Sequence, residues 1–357
     1  MIKRILYIIN LLFVFLLLGV YVSVRVSPEY IPELSLLSYI YPLLLGVNLL
    51  FCVLWLFLKW KYLLVPLAVV LIGANFFFRF VGINSSEEKT ENGLTVMTYN
   101  VKAFSQGAKD DRTIAIRNKD SILSLIEALS PDIVCLQEYA SVKKSESCFH
   151  YVMTHNLGYT HFFAPDNTKN YVRGSVIYSK HPITRSGTLF PMSKEYYSKT
   201  YADIVVNKKK FRVYNVHLDS YKLSDEEKDE VNKLKDGEIT SEETSKSIIV
   251  KLLETNKEQA KEVRELTSII NETEGAFLLL GDFNATPYSY TYQTLTKSLK
   301  DSFVERGSGF SGTHNDLLPK FRIDYILASE KIEVLAYKQD VFDYSDHNPV
   351  VVDFSLE

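Results

Sequence analysis

The 357-residue chain is 46% hydrophobic and 23% charged, with a formal net charge of −3. That composition is too apolar for a disordered chain and too poor in Gly and Pro for a fibrous one. At about 100–200 residues per domain it holds one large domain or two ordinary ones. The charge is unevenly spread. Residues 1–83 carry Lys3, Arg4, Arg25, Lys59, Lys61 and Arg79 against Glu29 and Glu33, a net of +4 that leaves −7 on residues 84–357. Three cysteines, Cys52, Cys135 and Cys148, exclude a disulfide-stapled fold. A Cys135–Cys148 bridge is conceivable, although free Cys is a common core residue.

The first quarter of the chain reads as a membrane anchor. Residues 5–24 are uncharged and apolar over a length that spans the roughly 30 Å hydrocarbon core. A second run covers 34–58 and a third about 62–80, which predicts three transmembrane helices in residues 1–83. A cleaved signal peptide is disfavoured by the length of the first run, the missing A-x-A-like site and the two runs that follow. Lys3 and Arg4 before the first run, and Lys59 and Lys61 between the second and third, place those segments in the cytoplasm by the positive-inside rule. Three crossings then deliver the remainder to the extracytoplasmic side of the inner or plasma membrane, with Arg79 as a mild objection.

Residues 84–93 form a polar linker, and 94–357 read as one globular domain. Residues 114–129 have helical spacing, while PDIVCLQE, RGSVIYSK, KFRVYNVHL, AFLLLGDFN, FRIDYILAS and HNPVVVDFSL read as strands. Several are continuous Val/Ile/Leu-rich runs, as expected for strands covered on both faces. Residues 225–238 are dense in charge and read as a solvated loop or exposed helix. Thr240 and Glu243 fit a capping box before a long helix. Lys208–Lys210 read as a hairpin tip. Strands punctuated by a few helices indicate a mixed α/β sandwich with helices outside paired sheets.

Polar residues recur at the C-terminal ends of these strands. Asn100 ends TVMTYN, Glu138 ends PDIVCLQE and His217 follows RVYNV. Asp282 and Asn284 follow AFLLLG, Asp324 lies within FRIDYIL, and Asp346-His347 precede NPVVVDF. A charged group after an apolar strand is expensive unless solvated or paired. Six such repeats therefore point to a single site at one rim of the sandwich. Carboxylate and amide oxygens suit hard Mg²⁺ or Mn²⁺, and imidazoles suit hydrogen bonds to developing negative charge. HExxH, GxSxG and a Walker loop are all missing from the chain. Turns and caps are the plain alternatives for Asp282, Asn284 and Asp346-His347. Arg173 and Tyr171 are candidate substrate contacts, with a salt bridge the alternative for Arg173. His314, His150, His155, His161 and His181 read as surface or structural residues.

The motifs TYN, LQE, RGSVIYSKHPI, NVHL, GDFNATP, RIDYI and SDHNPV occur in an order that resembles the endonuclease/exonuclease/phosphatase superfamily, which includes deoxyribonuclease I. The resemblance covers about 94–357 and implies a four-layer α/β sandwich of the deoxyribonuclease I type, preceded here by the three transmembrane helices. It also implies metal-dependent hydrolysis of a phosphoester. Glu138 takes the place of the principal metal ligand, with Asn100 beside it and Asp346 assisting. Asp282 matches the residue that activates water, and Asn284 the one that holds a phosphate oxygen or the metal. His347 matches the contact to the scissile phosphate, oriented by Asp324, and His217 an acid or phosphate contact. The resulting expectation is a membrane-tethered, Mg²⁺-dependent phosphodiesterase acting on nucleic acid or a phospholipid head group, with no protein partner inferred. A nuclease usually has a basic footprint, which the −7 domain lacks. A sphingomyelinase-like phospholipid phosphodiesterase, a phosphatase of small phosphoesters and an inactive membrane-bound binding module are the alternatives.

Overall fold

A computed structural model describes residues 1–85, 93–107, 111–143, 145–190, 199–235, 241–315 and 320–356. Most of the expected linker 84–93, and Thr240 of the expected capping box, lie outside the described residues. The chain divides into two compact units: residues 1–81 with 220–269 and 285–297, and residues 82–219 with 270–284 and 298–357.

The first unit is helical. Helix α1 (Ile2–Ser23) is followed by a helical stretch that runs from Pro32 through α2 (Tyr41–Leu58), and then by α3 (Trp60–Ile72). Among the described residues two stretches, Ile2–Ser23 and Pro32–Leu58, are long and apolar enough to cross a membrane, which corrects the expected three. The third is cut short at Gly73, whose Cα approaches Tyr21 so closely that a Cβ would stand 1.9 Å from the phenol oxygen. The 13 residues of α3 reach only about 20 Å. Buried amides tie the helices together: Trp55 Nε1 donates to Asn10 Oδ1 at 2.9 Å, and Asn48 Nδ2 to the Phe13 carbonyl at 3.2 Å. Tyr21, Tyr41 and Phe76 pack into an apolar core with Val14, Leu17, Leu44 and Val69.

The same unit holds α5 (Asp225–Lys235), where an exposed helix or loop was expected, and α6 (Glu242–Asn271), whose last two residues pass into the second unit. The Ser241 hydroxyl accepts the Thr244 N–H at 3.0 Å and caps α6. From α6, Asn256 bonds Ser35 and Tyr39, and Arg264 pairs with Glu29. The segment Ala285–Lys297, with α7 (Tyr290–Leu295), completes the unit.

The second unit is built on two sheets. Its helix α4 (Arg112–Leu129), in chain order between α3 and α5, is capped by the Asp111 carboxylate. The first sheet has β1 (Leu94–Asn100), β2 (Ile133–Val142), β3 (His161–Phe163) and β4 (Tyr171–Ser179), with β11 (Ile332–Gln339) and β12 (Val350–Leu356), and the two-residue strand Asp166–Asn167 pairs beside β4. The second contains β5 (Ile183–Thr188), β6 (Thr200–Val206), β7 (Lys209–His217), β8 (Ala276–Asp282), β9 (Lys300–Asp301) and β10 (Asp324–Ala328). The orders are β11-β12-β1-β2-β4-β3 and β9-β10-β8-β7-β6-β5. Each centres on one parallel pair, β1 with β2 and β7 with β8, flanked by antiparallel neighbours.

Strand β1 is buried throughout, and its alternation explains why. Leu94 and Val96 enter the core between the sheets with Cys135, Ile177, Val213, Leu278 and Ile326. Met97 and Tyr99 point the other way, against Ile122 and Ile126 of α4. The result is the α/β sandwich expected. Cys135 and Cys148 are both free thiols. Asn207 and Lys208, both at positive φ, make a two-residue turn from β6 to β7, as the Lys208–Lys210 reading anticipated.

Candidate active site

The two parallel pairs deliver their polar residues at the same strand ends. In the second sheet Asp282 pairs in register with His217 on one side and Asp324 on the other. The close approach of β7 and β8 depends on Gly281, where φ is +132° and a Cβ would stand 1.9 Å from the Val216 carbonyl oxygen. In the first sheet Asn100 ends β1, whereas Glu138 does not end β2. The strand runs on to Val142, and a bulge between Leu136 and Tyr139 interrupts its pairing with β4. Glu138 sits in that bulge at φ +48°, a left-handed conformation unfavourable for a residue with a Cβ. Asn284 (φ +47°) and Lys102, Ala103 and Phe104 (φ +44°, +49° and +62°) share that region. Backbone strain of this kind collects where function constrains geometry.

The side chains converge. Asn100 Nδ2 donates to Glu138 Oε1 at 3.1 Å and to Asp282 Oδ2 at 2.9 Å, while its Oδ1 accepts the Lys102 N–H at 3.0 Å. His217 Nε2 lies 3.5 Å from Asp282 Oδ2 and 3.8 Å from Glu138 Oε1. His347 Nε2 lies 3.6 Å from the same Asp282 oxygen, and its Nδ1 meets Asp324 Oδ2 at 2.8 Å. The Asn284 N–H donates to Asp282 Oδ1 at 2.9 Å, and Asn284 Nδ2 to the Leu218 carbonyl at 3.0 Å. Asp346 forms a 2.6 Å ion pair with Lys102. Ser345 ties this loop to β1 by donating to the Asn100 carbonyl at 2.7 Å.

Burial and charge set the protonation states. Burial pushes the Asp282 carboxyl up to about 7; the His347 charge pulls it down and the Asp324 charge adds to the rise. Burial opposes charge on His347 too, but Asp324 and Asp282 outweigh it and hold the imidazolium well above the ordinary range. His217 is driven down to about 3 by burial, with the His347 and Lys199 charges adding to it, and is neutral at pH 7. Asp346 lies at about 2 because His347 and Lys102 overcome its burial. The site thus sets one neutral and one charged imidazole on either side of a carboxyl that titrates near neutrality.

Asn100, Glu138, His217, Asp282, Asn284, Asp324 and His347 form one cluster, and Lys102 brings Asp346 to its edge. Arg173 and Tyr171 stand apart, stacked on each other at 4.2 Å on β4. Three features escaped the sequence reading. Lys102 follows TYN as an ordinary surface lysine would. His314, read as structural, forms a β-bridge with His347, their rings 4.9 Å apart. Its ligand atoms lie within 4.8 Å of those of Asp346 and His347, as do those of Asp282 and Asp324 with His347. Beneath the cluster, Gln137 Nε2 donates to Asn215 Oδ1 at 2.7 Å and so joins the two sheets. Buried polar residues one or two positions from Glu138 and His217 were the signal for that pair.

A family model described as the Endonuclease/Exonuclease/phosphatase family matches residues 97–347. A second, described as a domain of unknown function, matches residues 3–80. Comparison with curated proteins returned no match. Among solved structures, an endonuclease/exonuclease/phosphatase from Beutenbergia cavernae is 19% identical with a TM-score of 0.51, covering 74% of this chain and 72% of its own. One from Bacteroides vulgatus is also 19% identical with a TM-score of 0.51, covering 75% and 100%. A humanized D. rerio TDP2 carrying 14 mutations is 15% identical with a TM-score of 0.51, covering 74% and 100%. These likenesses show the fold, and the family match spans more than half of the chain. The protein belongs to the endonuclease/exonuclease/phosphatase family, whose members are hydrolases of phosphoester bonds.

Proposed function

We propose that the protein is a membrane-tethered, metal-dependent phosphodiesterase of endonuclease/exonuclease type, with residues 1–83 as anchor, 84–93 as linker and 94–357 as catalytic domain. The observation that carries the reading is the enclosure of Asp282, a fully buried carboxyl whose pKa burial raises, by Asn100, His217 and His347. A general base works best when its pKa lies near the operating pH.

Asp282 takes the proton of the attacking water as the water oxygen bonds phosphorus; the opposite P–O ester bond breaks, and the departing alkoxide takes a proton from solvent. The Asn100 amide and Asn284 N–H hold the Asp282 carboxylate in place. The His347 imidazolium, fixed through Nδ1 by Asp324, donates to a phosphate oxygen as negative charge develops. Neutral His217 serves as the second phosphate contact, and Lys102 and Lys199 add positive charge beside the site. The donors fit a hard divalent cation. Glu138 Oε1 and Asp282 Oδ2 both lie within reach of the same amide and the same imidazole, so their oxygens share one space. Mg²⁺ or Mn²⁺ held by Glu138 with Asn100, Asp346 assisting, would supply Lewis-acid stabilisation of phosphate charge. The Lys102 pairing makes Asp346 the weaker candidate ligand, and Asn100 would have to present its oxygen rather than its nitrogen.

The test uses the full-length protein with bis-p-nitrophenyl phosphate and p-nitrophenyl phosphate, with and without Mg²⁺ or Mn²⁺. Metal-dependent cleavage of the diester, lost in Asp282→Asn, supports the reading. A folded protein with no turnover of either substrate would favour the binding-module alternative. Plasmid DNA, RNA and sphingomyelin then rank the substrate classes. We place the catalytic domain on the extracytoplasmic side. An alkaline phosphatase fusion near residue 90 should be active on that placement and inactive otherwise.

A further inference from the structure

Thr313, in the loop before the RID motif, is bonded to both halves of the Asp324–His347 pair, and all three residues belong to the second unit. The residue is fully buried. Its hydroxyl oxygen accepts the Ile323 N–H at 2.9 Å and the Asp324 N–H at 3.0 Å. Its carbonyl accepts the N–H of Asn348, the residue after His347, at 2.6 Å. The flanking backbone repeats the arrangement. The Thr313 and His314 N–H groups both donate to the Phe321 carbonyl at 3.0 Å, and the Asn315 N–H donates to the Asp346 carbonyl at 2.7 Å. The β-bridge of His314 with His347 lies between these bonds. Asn348 secures its own side, with Nδ2 donating to the Gly312 carbonyl at 3.1 Å and Oδ1 accepting the Phe342 N–H at 2.9 Å.

Asp324 is the first residue of β10, and a buried strand end needs acceptors for its amides. Strand β9 pairs with β10 at the far end, at Leu327 and Ala328. At the near end the Thr313 hydroxyl supplies the acceptor, and its two lone pairs let it take both N–H groups. The Asp324 carboxylate, 1% exposed, meets His347 Nδ1 at 2.8 Å, so a shift of either backbone opens that bond. We infer that Thr313 is a positioning residue: its hydroxyl and its carbonyl together fix the backbones of Asp324 and of the His347 loop, and with them the aim of the His347 imidazole. Its effect on turnover rests on the phosphodiesterase reading; its effect on the two backbones does not.

The experiment compares full-length wild type, Thr313→Val, Thr313→Ser, Asp324→Asn and the double variant Thr313→Val/Asp324→Asn in lipid nanodiscs. Valine keeps the shape and removes the acceptor, whereas serine keeps the acceptor. Turnover of bis-p-nitrophenyl phosphate with Mg²⁺ is measured beside amide hydrogen exchange over residues 321–325 and 346–350. In Thr313→Val, kcat should fall about 10-fold or more at constant KM, with exchange in both segments at least about 10-fold faster and β1, β2 and β7 unchanged. Thr313→Ser should stay within about 2-fold of wild type in both readouts. In the Asp324→Asn background the valine substitution should cost less than about 2-fold in kcat, because the bond it protects is already altered. An equal loss in both backgrounds overturns the positioning role, as does wild-type kcat in Thr313→Val. If Thr313→Val does not fold, a 10-fold loss in Thr313→Ser overturns the role and wild-type behaviour there upholds it. Wild type without turnover sinks the phosphodiesterase reading, while unchanged exchange in Thr313→Val still overturns the hold on the two backbones and faster exchange upholds it.

Discussion

The two sheets contribute to the site in opposite ways. Each ends a central parallel pair at the same rim, yet Glu138 from the first sheet keeps 37% of its side chain exposed, whereas Asp282 and His217 from the second keep 1% and 0%. The first sheet positions its carboxylate with a bulge and a left-handed residue, the second with a glycine that lets β7 and β8 close up. Solvent access suits a group that must exchange ligands with a hydrated cation. Deep burial suits groups whose protonation must be tuned. The same pairing scheme thus yields two electrostatic environments a few ångströms apart.

The contrast can be broken at its strongest point first. Asp282→Asn keeps the shape and removes the base, so kcat should fall by about 10³-fold or more with the fold intact by circular dichroism. Glu138→Ala should abolish metal stimulation, and Asn100→Ala should raise the Mg²⁺ needed for half-maximal turnover by about 10–100-fold. Equal metal dependence in wild type and Glu138→Ala would remove the first sheet from cation binding. Gly281→Ala drives a Cβ into the Val216 carbonyl and should cost about 3 kcal/mol or more in a denaturant melt.

The buried His217 gives the contrast a pH signature. Its folded pKa, about 3, is depressed below the ordinary 6.5. Its stabilising contribution is therefore present above pH 6.5 and is lost as pH falls toward 3, by at most about 5 kcal/mol. His217→Asn should flatten the fall in melting temperature over that window. An unchanged acid slope would mean that His217 is not held neutral. The smallest effect is expected at Arg173. Its stacking on Tyr171 is worth about 0.5–1 kcal/mol, so Arg173→Ala should lower stability by no more than about 1 kcal/mol in a denaturant melt.

Much of this was legible in the sequence, and the exceptions share a cause. Polar residues at the ends of apolar strands marked Asn100, His217, Asp282 and Asp346-His347, because such groups need a shared reason for their placement. Glu138 was found for partly the wrong reason: it looked like a strand end but occupies a bulge, and bulges depend on the partner strand. His314 and Lys102 gave no local signal, since their roles come from residues 33 and 244 positions away in sequence. The repeated pairing of the two sheets was likewise invisible, for backbone topology can match where side chains do not. The third span failed at Gly73, which leaves helical geometry and packs closely against Tyr21, where hydropathy alone would continue the helix.

The Gln137–Asn215 bond has a mechanical consequence. Two sheets in contact only through hydrocarbon have a shallow resistance to sliding, because one methyl neighbour replaces another at little cost. An amide pair buried at 0% exposure in that interface behaves as a key in a slot. Displacement along the strands breaks this bond and those from Asn215 Nδ2 to the Leu136 and Val176 carbonyls, at about 1–3 kcal/mol for each buried group left unpaired. Glu138 is the next residue after Gln137, and His217 lies two beyond Asn215. The spacing of Glu138 and His217 is therefore set within the core itself, by this 2.7 Å bond and by the bonds from Asn215 Nδ2 to the Leu136 and Val176 carbonyls.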